Sequence, residues 1–133
     1  VKLLLDTHVW IWTQEAPEKL GPATRDAVLD VANELSVSTV STLEIARLID
    51  GDLLALRGSL KTWVARSLES LRCGTALLTH EIAAAAYALP GAFHKDPADR
   101  ILASTARLAD MILVTADEHL LLYPHVRTLD ARR

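Results

Sequence analysis

An α/β domain with a mostly parallel sheet is the fold class this chain predicts. Short apolar runs alternate with longer stretches of helical pattern along the chain. Prolines and glycines fall between these runs, at Pro17, Gly21-Pro22, Gly51, Gly58, Gly74, Pro90-Gly91, Pro97 and Pro124. Acidic residues stand where an apolar run ends or a helical stretch begins, most clearly at Asp6, Glu44, Asp96, Asp99 and Asp117.

The elements are expected in the following order. Lys2 to Leu5 is short, apolar and ends at an acid, which predicts a buried strand. Thr7 to Thr13 begins a helix carrying Trp10 and Trp12, and Ala23 to Asn33 is helical in pattern, with Val28, Leu29 and Ala32 on one side. Leu35 to Thr39 is β-branched and predicts a second strand; Leu43 to Ile49 predicts a helix stopped near Gly51. Another helix is expected at Leu60 to Leu71, a brief strand at Ala76 to Leu78, and a helix at Glu81 to Leu89 ended by Pro90. Pro97 to Ala109 is the clearest helix. Met111 to Val114 predicts a buried strand, Glu118 to Leu122 a short helix, and Val126 to Leu129 a last strand.

The bulk properties narrow the class. A length of 133 residues, half of them hydrophobic, suits one domain (residues 1–133) with a proper core. No apolar run approaches the ~20 residues of a membrane helix, and Leu3-Leu4-Leu5 is too short for a signal peptide. Cys73 is the only cysteine, so an intrachain disulfide and a cysteine zinc site are excluded, and a reducing cytoplasm is the expected location. The net charge of −3 argues against broad electrostatic binding of nucleic acid. A cation held in an acidic pocket would supply positive charge locally.

Each acid has an ordinary reading beside the functional one. Asp6 and Asp117 follow strands, where ligand sites of open parallel sheets form, but Asp is also a good helix N-cap. Glu44 completes Ser41-Thr42-Leu43-Glu44, a capping-box pattern, and lies at the edge of the face made by Ile45, Leu48 and Ile49. Asp96 is expected to cap the helix that Pro97 opens. A helical wheel places Ala98, Leu102, Thr105 and Ala109 on the apolar face and Arg100, Ser104 and Arg107 on the polar one. Asp96 points toward the polar side. Asp99 falls between Ala103 and Ala106 at the core margin, which ranks it above Asp96 as a ligand. Acids brought together repel and lose solvation, so a divalent cation is the expected partner, with phosphodiester chemistry the expected use. Thr115 is placed to support a ligand through a hydrogen bond.

The motifs Leu4-Leu5-Asp6-Thr7-His8-Val9-Trp10, Ser38-Thr39-Val40-Ser41-Thr42-Leu43-Glu44, His94-Lys95-Asp96-Pro97-Ala98-Asp99-Arg100 and Leu113-Val114-Thr115-Ala116-Asp117, in this order and spacing, resemble the PIN domains, specifically the VapC-type toxin ribonucleases of toxin–antitoxin pairs. The resemblance runs nearly end to end. It implies a three-layer α/β/α sandwich around a five-stranded parallel sheet and cleavage of RNA with one or two Mg²⁺ or Mn²⁺ ions. By motif match it implies Asp6, Glu44, Asp99 and Asp117 as catalytic, metal-holding acids, with Asp96 auxiliary; Thr115 joins Asp96 as an auxiliary residue on the hydrogen-bonding argument above. It further implies a homodimer and a cognate antitoxin that blocks the site. Many relatives carry a Lys shortly after the matching Glu; this chain has Arg47. Arg47, Arg100 and Thr7 are the expected RNA contacts.

Among the remaining residues, His8 and His94 border the acids and are read as structural or phosphate-contacting. Trp10, Trp12 and Trp63 suit base stacking or, better, packing. Arg57, Lys61, Arg66 and Arg72 suit a solvated helix face. Two alternatives compete with the nuclease. One is a catalytically silent PIN-like binding module. The other is an Asp-based phosphotransfer domain; haloacid-dehalogenase-like phosphatases carry Asp-x-Asp after the first strand, whereas this chain has Asp6-Thr7-His8.

Overall fold

A computed structural model describes residues 1–133. The chain runs β1 (Lys2–Leu5), α1 (Thr7–Glu15), a 3-10 turn (Pro17–Lys19), α2 (Pro22–Leu29), β2 (Glu34–Ser38), α3 (Thr39–Asp50), α4 (Leu60–Leu71), β3 (Gly74–Ala76), α5 (His80–Ala85), α6 (Pro97–Leu108), β4 (Ile112–Thr115), α7 (Glu118–Leu121) and β5 (Thr128–Asp130). The five strands form one sheet in the order β3-β2-β1-β4-β5, and every neighbouring pair is parallel.

Strand alternation divides the core into two layers, since successive side chains leave a strand on opposite faces. Leu3 and Leu5 face a cluster with Val9, Trp10, Ile11, Leu35, Val37, Ile45 and Trp63. Leu4 and Leu113 face the other, with Val40, Ala98, Leu102, Ala106 and Leu120. Helices α1 and α4 therefore cover one face and α6 and α7 the other, giving three layers. No helix is long and apolar enough to cross a membrane.

Several element boundaries differ from the sequence expectation. Helix α2 stops at Leu29, because the Asp30 carboxylate accepts from the Ala32 amide in a tight turn. Leu29 is 78 % exposed and Ala32 is exposed, so neither belongs to a buried helix face. Helix α3 begins directly after β2, four residues earlier than expected, with Ser38 as the cap accepting from the Val40 amide at 3.1 Å. Ser41 is then an interior helical residue, and the capping box does not form. Helix α5 ends at Ala85, well short of Pro90. Ser104, expected on a polar face, is buried and donates to the Ile82 carbonyl of α5. A second helix covers that face, which no wheel of α6 alone can show.

The chain's last residues close against the start of α2. The Gly21 amide donates to the Ala131 carbonyl and the Ala23 amide to that of Arg133. A Cβ at Gly21 would stand 2.2 Å from the Arg133 carbonyl carbon. Gly21→Ala is expected to destabilise the fold by about 3 kcal/mol, the high end of overpacking, because the nearest atoms are all backbone of Arg132 and Arg133. A denaturant midpoint unchanged from the parent would contradict this.

Candidate metal centre and active site

The strand order reverses direction about β1: the chain steps from β1 to β2 and β3 on one side and returns through β4 and β5 on the other. A crevice opens at such a switch point, outside the carboxyl ends of the strands. Asp6 follows β1 there, and Asp117 follows β4 by two residues. The second turn of α3 and the first turn of α6 bring in Glu44 and Asp99. Asp6, Glu44, Asp96, Asp99 and Asp117 line one cavity of about 300 Å³, together with His8, Trp12, Ala116 and Arg132. All five expected acids thus share one cleft. A larger cleft, of about 640 Å³, lies elsewhere, against Lys2, Glu34 and Arg72, and has no comparable acid cluster.

Three of the acids are helix caps as well as cavity walls. Asp6 Oδ1 accepts from the Thr7 amide at 2.7 Å, Asp96 Oδ1 from the Ala98 amide at 2.9 Å, and Asp117 Oδ1 from the His119 amide at 2.8 Å. The capping and functional readings are therefore compatible: each cap uses one carboxylate oxygen. Asp99 and Glu44 differ, since neither caps a helix and each is held by a side chain alone. His94 Nε2 lies 2.6 Å from Asp99 Oδ2. The Thr7 hydroxyl donates to Glu44 Oε1 at 2.5 Å and stands 2.8 Å from the Ser41 hydroxyl. The Thr115 hydroxyl donates to Asp6 Oδ2 at 2.7 Å and accepts from the Asp117 amide at 3.0 Å. One hydroxyl thereby fixes both the β1 acid and the turn that carries the β4 acid.

Two expected RNA contacts prove to be internal supports. Thr7 is 1 % exposed and stands behind Glu44. Arg100 donates to the carbonyls of Ala86 (3.2 Å) and Phe93 (3.0 Å), and its guanidinium lies over the Tyr87 and Phe93 rings. It braces the loop that leads into His94 rather than reaching the cavity. Arg47 is exposed on α3, one turn beyond Glu44, and is not part of the cavity wall. Trp10 and Trp63 are buried with ring centroids 5.0 Å apart, so they pack; Trp12 alone of the three borders the cavity. Arg132 had no signal in the sequence beyond its place just after the last strand, the same position relative to β5 that the acids hold relative to their strands.

The electrostatics follow from crowding. Burial pushes the Asp99 carboxyl up to about 7, with the Asp6, Asp96 and Asp117 charges adding to the rise and the His94 contact opposing it. Burial also raises Asp6, against the Thr115 and Thr7 hydrogen bonds, and raises Glu44, where the Asp6 and Asp96 charges contribute. Each carboxylate is turned toward its own protein donor, and no three converge to enclose an ion. The donor set nevertheless fits a hard divalent cation: it is oxygen-only, anionic and partly buried, and a positive charge would reverse the penalty that raises these acids. Thr115→Val keeps the shape and removes the hydroxyl. It is expected to weaken ion binding about 10- to 100-fold with the fold retained, read by calorimetric titration with Mn²⁺. Parental affinity would show that Thr115 does not set the geometry of Asp6.

Fold and site together define the PIN class of α/β domains. The PIN domain family model matches residues 3–125, and the chain belongs to that family. It is 36 % identical over 125 residues to Ribonuclease VapC22 of Mycobacterium tuberculosis, covering 94 % of each protein. Among solved structures, the fold is similar to VapBC2 from Rickettsia felis bound to a promoter DNA fragment (TM-score 0.65, 16 % identity, covering 97 % of this chain and 98 % of that one). It is also similar to a toxin–antitoxin complex from Klebsiella pneumoniae (TM-score 0.62, 17 % identity, 97 % of each chain).

Proposed function

We propose that this chain is a metal-dependent endoribonuclease, the toxin of a toxin–antitoxin pair. The observation that carries this reading is the single cavity at the switch point, walled by Asp6, Glu44, Asp96, Asp99 and Asp117. The similarity to a named ribonuclease along 94 % of the chain supports RNA as the substrate. The likeness to toxin–antitoxin assemblies supports an antitoxin as the neutralising partner. A homodimer and a cytoplasmic site of action complete the proposal.

Asp6, Asp99 and Asp117 would be the principal ligands of one or two Mg²⁺ or Mn²⁺ ions, with Glu44 completing the set. The chemistry that such ions supply is hydroxide near neutral pH and charge neutralisation at phosphorus during in-line displacement. The protein's own part is positioning. Thr115 anchors Asp6, Thr7 anchors Glu44, and His94 anchors Asp99, so the carboxylates are held at the cavity wall and would turn from these donors toward an ion on binding. Asp96 holds the start of α6 through its cap and adds negative charge at the rim. Arg47, exposed one turn beyond Glu44, is offered as a contact for RNA or antitoxin.

The test is cleavage of cellular RNA by purified protein with Mg²⁺ or Mn²⁺, combined with growth on induction. Discrete cut sites that vanish with chelator, and growth inhibition relieved by Asp6→Asn, are expected. No cleavage with either ion, together with unrelieved inhibition, would sink the reading.

A further inference from the structure

Four residues of the cavity wall stand outside the acid cluster: His8, Trp12, Ala116 and Arg132. Trp12 lies four residues after His8 on α1, which puts both on one helix face, and both border the cavity. The Trp12 ring is half-buried, with Lys19 Nζ 5.6 Å from its centroid. Arg132 is the one Lys or Arg on the wall. Its backbone is fixed by the fully buried Ala131 and by its amide donating to Asp130 Oδ1 at 3.0 Å. Its side chain is exposed; Nη1 donates to the Ala116 carbonyl at 3.1 Å, and neither ion pair of the chain includes it.

An acid-lined cavity in a chain of net charge −3 repels a polyanion outside the immediate reach of bound ions. A strand entering such a cavity needs a cation for its flanking phosphate. A guanidinium offers five N–H donors in a planar fork, and only one contact occupies that of Arg132. An aromatic face beside it offers a surface on which any unpaired base stacks. We propose that Arg132 and Trp12 form a subsite for the nucleotide next to the scissile phosphate, Arg132 taking a phosphate and Trp12 its base. The subsite rests on the nuclease reading and narrows it to single-stranded RNA.

The experiment is equilibrium binding of a labelled, mixed-sequence single-stranded RNA to Asp99→Asn protein with Mg²⁺, followed by fluorescence anisotropy over a range of salt. Adding Arg132→Gln is expected to weaken binding and to lower the salt slope by about 0.7, the value for one phosphate contact on a single strand. Adding Trp12→Ala is expected to weaken binding roughly 5- to 100-fold with the slope unchanged, and Trp12→Phe to restore most of it. In the otherwise unaltered protein, Arg132→Gln should raise KM for RNA cleavage and leave kcat within about twofold, as loss of uniform binding requires. Arg132→Gln touches no core contact, so it decides the matter even where Trp12→Ala perturbs folding. Parental affinity, slope and KM in both variants, in a protein that cleaves RNA, would overturn the subsite and leave the nuclease standing. A protein that neither cleaves nor binds RNA would overturn both.

Discussion

Replacing Asp99 by Asn is expected to lower RNA cleavage by more than about 100-fold while leaving the chain folded. The reason is geometric. Asp99 is 8 % exposed, lies on the first turn of α6 and shares the cavity with four other acids. Asn has the same shape and can keep a contact with His94, but it brings no negative charge to a cation. Loss of even an outer supporting group in a metal site costs about 10- to 100-fold, and a ligand carries more. Calorimetric titration with Mn²⁺ should show the ion affinity falling in parallel. Asp96→Asn is the contrast. Asp96 is exposed and caps α6 through the Ala98 amide, a role Asn fills nearly as well, so a loss under roughly tenfold is expected. Equal losses in the two variants, or activity retained by Asp99→Asn, would remove Asp99 from the ligand set.

In chelator, the protein is expected to lose about 1 kcal/mol of stability between pH 5 and pH 8, and divalent ions should restore it at the higher pH. The sign follows from linkage. An unfolded Asp titrates near 3.9, whereas Asp99 is held at about 7 in the folded state. Between these values the folded state binds more protons than the unfolded one. Stability is therefore greatest at low pH and is lost as pH rises through the folded pKa. Asp6 and Glu44 are raised as well and act in the same direction. The whole shift corresponds to roughly 4 kcal/mol at 1.36 kcal/mol per unit, of which the two units between pH 5 and the folded pKa account for roughly 2.7 kcal/mol. Solvent in the open cavity screens the charges, and about half that value is the reasonable expectation. A change of about 3 to 6 °C in Tm would report it. Asp99→Asn should flatten the profile and be the more stable protein at pH 8. A parent whose stability rises from pH 5 to pH 8, or a variant with the parent's profile, would show that crowding of the acids does not limit stability.

How much was legible in the sequence depended on whether one element or several set the feature. β1 and α4 were read with the bounds they have, because an apolar run of strand length and a helical repeat between turn residues are local signals. Helix α3 was read four residues short. A strand that passes directly into a helix through Ser38 leaves no polar gap to mark the boundary. The Ser41–Glu44 pattern mimicked a cap, yet Glu44 is claimed by Thr7, thirty-seven positions away. For Asp6, Asp96 and Asp117 the choice between cap and site was a false one, since each carboxylate has two oxygens. Arg100 and Thr7 were misplaced as RNA contacts for a shared reason: sequence shows that a side chain can donate, but not which buried carbonyl or carboxylate receives it.

The sequence by itself determined the α/β class, the order of strands and helices, and the placing of Asp6, Asp96 and Asp117 at helix starts. These are consequences of hydrophobic period, turn chemistry and the limited ways a helix can begin, all of which act over a few residues. The tertiary structure alone decided that the acids meet, because only the parallel order β3-β2-β1-β4-β5 places the ends of β1 and β4 side by side. It also decided which donor orients each acid, that α5 covers Ser104, and that Arg132 and Trp12 border the same cavity. Those contacts join residues far apart in sequence. Their energies come from burial and exchange of partners in three dimensions, for which no local pattern is a record.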